Sequence, residues 1–371
     1  MILEQQAGAG SSVNNMENPM PRPGQIKLWA MQSVAHGADF ISFFRWRTCT
    51  FGTEIYWHGI LDYDGRDNRR LAEVREVSQM LSKLSPLCGS DFWAPLALVR
   101  DYDNVWDAEV DSWHGRLNAA SEAAILQQAQ LSHVPCDLFY LSDDSTLSDL
   151  LRYPVLIYPH PAIMTTARAT LLKSYVEQGG TLILGCRSGY KQENGQCVTL
   201  PPPCLLSEIT GSQVQESSFQ HPAEPSTYAE WDGEQIPAVV FQDILAPIEA
   251  TDSHVLAHYT DAWFSGSPAL IEAEHGAGRC IHWGSCFSRT LVKKLLSYTK
   301  LDISFGALME IPEGVEIVER RKADRRFLIL LNYLPSAQQV VIHHEVLDLL
   351  TGKKISGAFN MNPFGVLVVE I

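Results

Sequence analysis

Phe40-Ile41-Ser42-Phe43-Phe44-Arg45-Trp46-Arg47 is an apolar run that ends in cationic and aromatic side chains. Phe40 to Trp46 reads as a strand buried on both faces, as strands of a covered parallel sheet are. Upstream, Pro23-Gly24 leads into a helix through His36, with Ile26, Leu28, Trp29, Ala30 and Val34 on its apolar side and Gly37 closing it. Residues 7–24 are rich in Gly, Ser, Asn and Pro, which is loop chemistry, and Ile2-Leu3 before them reads as the end of a buried strand. Downstream, Asn68 is placed to cap a helix carrying Leu71, Val74, Val77, Met80, Leu81 and Leu84. Strand, long loop and helix, twice over, is the grammar of a parallel α/β barrel, of which residues 1–88 hold the last part.

The rest of the chain divides in two. Residues 92–305 alternate apolar strands (Ala97-Leu98-Val99, Val155 to Tyr158, Thr181 to Leu184) with helical patterns at Ala119–Ala129 and Ala167–Gln178. This predicts a doubly wound α/β domain. Ala269–Ala273 and Arg279–Trp283 flank Gly276-Ala277-Gly278 as a hairpin, and a helix from Ser288 to Tyr298 closes the domain. Pro201-Pro202-Pro203 and residues 216–226 read as irregular, and Trp263 and Phe264 as packed. Residues 312–371 are strand and turn, with strands at Val315–Val318, Arg326–Leu331, Gln338–His343 and Val366–Ile371, a small antiparallel β domain. Arg320-Arg321-Lys322-Ala323-Asp324-Arg325-Arg326 reads as a solvated hairpin turn whose charge opposes aggregation.

Composition narrows the function. The 371 residues are 46% hydrophobic and 19% charged, with a formal net charge of −15. That charge argues against nucleic acid or an anionic membrane as partner. No apolar run reaches membrane-spanning length, and no basic region followed by an apolar stretch predicts a secretory leader. Eight cysteines are scattered without a C-x-x-C pair, so a reducing, cytoplasmic setting is expected and a structural zinc is not. His254 and His258 have the i,i+4 spacing of metal ligands on a helix, but Val255, Leu256 and Tyr259 around them read as strand and core. Gly185-Cys186-Arg187-Ser188-Gly189 follows a strand as the nucleophile turn of amidotransferases does. A working thiol needs a His and an acid in line. His160, His254, His258, His275 and His282 are available, but no His-x-Glu element stands late in the chain, and Cys186 is read as structural. No metal and no cofactor are expected.

Glu4 after Ile2-Leu3, the helix carrying Leu28-Trp29 and Ala35-His36-Gly37-Ala38-Asp39, and Phe43-Phe44-Arg45-Trp46-Arg47 form a connected pattern. It resembles glycoside hydrolase family 42, the β-galactosidases built on a (β/α)8 barrel. The order of the later domains fits as well: a glutamine-amidotransferase-like trimerisation domain, then a C-terminal β domain. The resemblance implies retaining hydrolysis of terminal β-galactosides and a homotrimer. Glu4 falls at the family's nucleophile and Glu54 at a carboxylate that binds galactose hydroxyls. Where the family often has a His, this chain has Trp57, with His58 one further on. Trp57 is assigned to stacking on a sugar ring, His58 to a hydrogen bond, and Trp46 to shaping the pocket or to packing.

Two departures stand out. The family places a Trp soon after the nucleophile, where this chain has Gly10-Ser11-Ser12-Val13-Asn14. A retaining glycosidase also needs two carboxyls about 5–5.5 Å apart, one attacking and one protonating the leaving oxygen. The family's acid/base Glu, several substrate-binding residues and a metal-binding cysteine cluster lie on earlier barrel strands that this sequence does not match. Glu17 sits in the loop after Glu4, on no other strand. The expectation is therefore a C-terminal portion that is inactive without a missing N-terminal barrel segment. The alternative is a non-catalytic oligomerisation or sugar-binding module derived from such an enzyme.

Overall fold

The apolar residues of the chain collect into two units, Met1–Trp93 with Ile303–Ile371, and Ala94–Asp302. The structure, a computed structural model, describes residues 1–10, 18–221, 223–302 and 305–371. The residues expected in the loop after Glu4, Ser11 to Asn14 and Glu17, lie outside these.

The first unit opens with β1 (Ile2–Gln6), α1 (Gln25–Ala35), β2 (Ile41–Phe44) and α2 (Arg69–Lys83). β1 and β2 pair in parallel, with Ile2 opposite Ile41 and Gln6 opposite Phe44, as strands joined by a crossover helix do. Asn68 caps α2 as its position predicts, its side-chain oxygen accepting the Leu71 N–H at 3.0 Å. α1 starts after Gly24, whose φ of 91° favours glycine. The expected apolar face of α1 is corrected in one detail: Leu28 and Met31 are fully buried, whereas Trp29 is half-buried. The expected double-sided burial of Phe40–Trp46 also fails. Phe40 is 51% exposed, Trp46 62% and Leu3 67%, and β2 itself is only half-buried. β1 and β2 form a sheet of two strands, and among the described residues no further strand covers their outer edges.

The remainder of this unit begins with β3 (Asp91–Trp93). The second unit intervenes in the chain. It contains β4 (Leu96–Arg100), α3 (Tyr102–Val110), α4 (Ser112–Leu131), β5 (Cys136–Tyr140), α5 (Leu147–Leu150), β6 (Val155–Tyr158), α6 (Thr166–Glu177) and β7 (Thr181–Leu184). Then come α7 (Ser207–Thr210), β8 (Ser212–Phe219), β9 (Thr227–Trp231), β10 (Glu234–Ala238), β11 (Phe241–Pro247), β12 (Ser253–Tyr259), β13 (Pro268–His275), β14 (Gly278–Trp283) and α8 (Arg289–Tyr298). Nine strands form one sheet in the order β10-β9-β12-β13-β14-β7-β6-β4-β5. Strands β5, β4, β6, β7 and β14 run parallel, and β13, β12, β9 and β10 extend the sheet antiparallel. Alternation along β4 sends Leu96 and Leu98 to the face under α4 and α8, and Ala97 and Val99 to the face under α6. The doubly wound expectation is thus met, with helices on both faces. Residues 216–219, expected to be irregular, belong to β8, because Glu216 to Phe219 find partners along β11. Trp263, expected to pack, is exposed; Phe264 is buried. Among the described residues no helix is long and apolar enough to cross a membrane.

In doubly wound sheets ligands enter where the strand order reverses, at the strands' carboxyl ends. Here that point lies between β4 and β6, and it is filled. Tyr158 donates to Asp101, Asn104 donates to Asp101 at 2.7 Å and to the Ile163 carbonyl at 2.9 Å, and Arg168 pairs with Asp101 at 3.2 Å. The space left is about 20 Å³, room for about one water and too little for a nucleotide-sized ligand.

The first unit resumes with β15 (Met309–Glu310), β16 (Val315–Lys322), β17 (Arg325–Asn332), β18 (Gln338–Asp348), β19 (Lys353–Met361) and β20 (Val366–Glu370). They form an antiparallel sheet, β15-β18-β20-β17-β16-β3, with β19 on β18. β17 is buried on both sides. Phe327, Ile329 and Leu331 pack with Leu28, Met31 and Val34 of α1, and Leu328 and Leu330 pack with Val340 and Ile342.

The charged run at 320–326 is not a solvated turn throughout. Only Ala323 and Asp324 turn. Arg320 is 1% exposed and donates to the Val34 carbonyl at 2.9 Å, to Asp39 at 2.8 Å and to the Ser90 carbonyl at 2.7 Å. Glu319, also buried, is held by Arg321 at 2.5 Å and Arg326 at 2.7 Å. Partial burial works against the charge of Asp39, but the Arg320 hydrogen bond and the Gly89 N–H outweigh it and hold the carboxyl below its usual range. Arg320→Ala leaves the Val34 and Ser90 carbonyls without their donor, whereas Asp39 is 43% exposed and can be solvated, so the stability of this unit is expected to fall by about 1–3 kcal/mol. Hydrogen-exchange protection of the β16 and β17 amides measures it; a loss below about 1 kcal/mol contradicts the assignment.

Candidate active site

The residues expected from sequence lie on β1 and on the loop that leaves β2. Glu4 lies in β1 where the register with β2 shifts, between Ile2 opposite Ile41 and Gln5 opposite Phe43. Such irregularities re-aim a side chain. Glu4 is exposed, and among the described residues its carboxylate has no hydrogen bond or ion pair. Its neighbours are tied down. Gln5 accepts from Ser33 at 3.3 Å, and Gln6 donates to the Gly8 carbonyl at 2.7 Å.

The loop leaving β2 folds back on itself. The Ile60 N–H donates to the Arg45 carbonyl at 2.7 Å and the Leu61 N–H to the Trp46 carbonyl at 2.8 Å. Thr48 closes the base, accepting the Gly59 N–H at 3.1 Å and donating to the Leu61 carbonyl at 3.0 Å. Gly59 is required there, because a Cβ would stand 2.4 Å from the Arg47 backbone. In this loop Arg45 donates to Glu54 at 2.9 Å. Glu54 is about half exposed, so the pair contributes little stability but orients one carboxylate oxygen and leaves the other open. Trp57 and His58 stack with ring centroids 5.0 Å apart. The structure thus joins Glu54 to Arg45 and Trp57 to His58. It makes no hydrogen bond or ion pair from Glu4 to any of them, and Trp46 faces solvent rather than a core.

His58 is the unexpected member. It is 5% exposed, yet among the described residues neither ring nitrogen has a hydrogen-bond partner, and the Trp57 Nε1 also lacks one. Gly8 lies so close that a Cβ there would meet the His58 Cβ at 3.0 Å. Arg70, at the start of α2, closes the side by bonding the Gly59 carbonyl at 3.3 Å and Asp62 at 2.7 Å. Sequence reasoning missed Arg70 and Gly8. Their signal lay only in the Asn68-Arg69-Arg70 helix start and the small residues after β1. Burial, then the charges of Arg70 and Arg45, lower the His58 pKa from 6.5 to about 4. The unfolded chain takes up this proton near pH 6.5, whereas the folded one refuses it until about 4. The His58 contribution is therefore complete above pH 6.5 and is lost as pH falls to about 4, a loss on the order of 3 kcal/mol. Urea unfolding across this window should show the decline in the native protein and a shallower one in His58→Phe; identical slopes refute it.

The other constellations resolve differently. Gly185 to Gly189 does turn sharply after β7, but the residue with φ of 60° is Arg187, so the exposed position of a nucleophile elbow carries a guanidinium. Arg187 lies over the rings of Tyr190 and Phe241 and 3.7 Å from Asp111. Cys186 is wholly buried behind the turn, its Sγ 3.5 Å from the His160 Nδ1. His254 and His258 lie on strand β12, as their neighbours predict, and not on a helix.

Family models match the chain in three consecutive stretches. The β-galactosidase model matches residues 1–84, the β-galactosidase trimerisation domain residues 94–302, and the β-galactosidase C-terminal domain residues 314–370. A β-galactosidase of Heyndrickxia coagulans, LacZ, is 26% identical over 374 residues, covering all of this chain and 55% of its own length. One from Haloferax lucentense, BgaH, is 29% identical over 86% of this chain and 46% of its own. Among solved structures, Gan42B, a family 42 β-galactosidase of G. stearothermophilus, superposes with a TM-score of 0.87 at 24% identity, over 99% of this chain and 53% of that one. The chain thus spans about half the length of the relatives it matches. With the trimerisation-domain model alone covering more than half of its residues, the chain belongs to the β-galactosidases of glycoside hydrolase family 42.

Proposed function

We propose that this chain is the C-terminal portion of a retaining β-galactosidase and that Glu4 is its nucleophile. The observation that carries the reading is an exposed, unpaired carboxylate at the strand irregularity of β1, in the stretch that matches the β-galactosidase model. Glu4 would attack the anomeric carbon and form a glycosyl-enzyme ester while the leaving oxygen takes a proton from a second carboxyl. Water would then cleave the ester. Glu54 would accept hydrogen bonds from galactose hydroxyls through the oxygen Arg45 leaves open, and charge-assisted bonds of that kind discriminate hydroxyl stereochemistry. Trp57 would stack on the sugar ring. The two unpartnered nitrogens of His58 support its role as a hydrogen-bonding residue, and the exposure of Trp46 supports a pocket wall.

We assign no described residue to the acid/base role, and propose that the chain alone has no appreciable turnover. Exposed apolar side chains on the two-stranded sheet, and the half-length match to relatives, support a missing barrel segment as partner. We assign residues 1–88 to that barrel, 92–305 to an amidotransferase-like trimerisation domain and 312–371 to the C-terminal β domain. A homotrimer is supported by the name of the matching middle model and by an unpartnered aromatic face in that unit, where Tyr102, Trp106 and Val110 line one side of α3 and Tyr140 stacks on Tyr102 at 5.1 Å. The eight free thiols support a cytoplasmic setting. A non-catalytic oligomerisation or sugar-binding module is the second reading, favoured by the pairing of Glu54 with Arg45, which leaves Glu4 without a free carboxyl partner from that loop.

The purified chain is expected to leave p-nitrophenyl-β-galactoside unhydrolysed, and turnover abolished by Glu4→Gln would overturn the proposed inactivity. Co-expression with the upstream barrel segment of a family 42 relative is expected to restore hydrolysis that Glu4→Gln removes. Activity surviving that substitution would sink the nucleophile assignment. Light scattering is expected to give three chains per particle, and Trp106→Asp to shift the population toward smaller species; a monomer at all concentrations counts against the trimer.

A further inference from the structure

We propose that His160, Cys186 and Cys286 form a binding site for a single thiophilic divalent ion, with zinc as its natural occupant. The sequence carries no zinc motif because the three residues come from three distant places. His160 follows β6, Cys186 follows β7 and Cys286 follows β14. These three strands are parallel neighbours in one sheet, so their carboxyl ends emerge side by side. The fold itself brings the donors together.

Geometry and burial fit the metal. One ring nitrogen of His160 and the two Sγ atoms all lie within 4.8 Å of one another, and Cys186 Sγ is 3.5 Å from the His160 Nδ1. Donors on one tetrahedral zinc, at Zn–S of about 2.3 Å and Zn–N of about 2.0–2.1 Å, stand roughly 3.5–3.8 Å apart. Closing the cluster around an ion therefore takes shifts of about 1 Å or less. Cys186 and Cys286 are fully buried and His160 nearly so. Two thiolates and a neutral imidazole cancel a divalent charge, and an electrically neutral set is what so buried a position tolerates. Soft sulfur donors select zinc over magnesium or calcium.

A supporting shell is already built. Ser121 Oγ is 2.7 Å from the His160 Nε2 and accepts the Phe287 N–H at 2.9 Å, which fixes the ring as partners of metal-bound imidazoles do. Coordination through Nδ1 would exchange the contact that this nitrogen makes with the Cys186 carbonyl at 2.9 Å for a bond to the ion. Three donors leave a fourth position for a water, and burial of all three keeps substrate from reaching it, so the role is structural. The ion would clamp together the ends of β6, β7 and β14.

The full chain, dialysed against zinc and then against zinc-free buffer, is expected to retain about one zinc per chain by elemental analysis. The Cys186→Ser/Cys286→Ser double variant should lose it, and Cys280→Ser, which removes a buried thiol outside the cluster, should keep it. Should the double variant fail to fold, cobalt titration of the native chain decides the matter. An intense thiolate-to-cobalt band, displaced by zinc, supports the site. Zinc absent from the native chain together with no such band overturns it. So does zinc undiminished in a folded double variant, and so does peptide mapping that finds Cys186 and Cys286 joined in a disulfide.

Discussion

One guanidinium holds the first unit in register. Arg320 stands in β16, far along the chain, and its three hydrogen bonds reach the last turn of α1, the Asp39 carboxylate and the residue before β3. Asp39 is two residues from the start of β2. The direction in which β2 leaves the core is thereby set by a residue of the C-terminal sheet. Arg45, Trp46 and the loop bearing Glu54, Trp57 and His58 continue from the end of that strand. The candidate site and the C-terminal sheet are mechanically one object, although some 270 residues of chain lie between them.

The second unit has the sheet of a ligand-binding fold, but its usual binding crevice is closed. Asp101, Asn104, Tyr158 and Arg168 satisfy one another at the point where a nucleotide or similar ligand enters other doubly wound sheets. The turn after β7 places Arg187, not a nucleophile, at a position of positive φ. The surface left exposed is aromatic and lies on α3 and β5.

Elements with strong local signals were legible in the sequence. Asn68 and Ser288 cap the helices they precede, β6 and β7 span the expected apolar runs, and the Gly276–Gly278 turn joins a hairpin. Elements whose partners lie far away were not. β8 and β5 carry polar or half-exposed residues and are strands only because β11 and β4 offer ladders. Arg320 looked like surface because its neighbours are charged; the carbonyls that bury it come from residues 34 and 90. At the candidate site, Glu4 and Glu54 are proposed from a family pattern, whereas the burial of His58 carries no signal in the sequence. Its walls, Gly8 and Arg70, come from a loop and a helix on either side of it. The cluster of His160, Cys186 and Cys286 was invisible for the same reason, being made by strand order alone.

The open pair β1 and β2 has a consequence for handling the molecule. Leu3, Phe40 and Trp46 present apolar surface beside unpaired strand edges, the combination through which sheets add foreign strands. Association through these edges is opposed by mutual repulsion, with a formal net charge of −15 on each chain. Dissolved electrolyte screens that repulsion, its range shrinking to about 3 Å at 1 M ionic strength, while apolar contact is not screened and is strengthened by kosmotropic salts. Colloidal behaviour is then governed by the ionic medium: dilute buffer preserves dispersed chains, and brine lets the bare ribbon template fibrous or amorphous clumps.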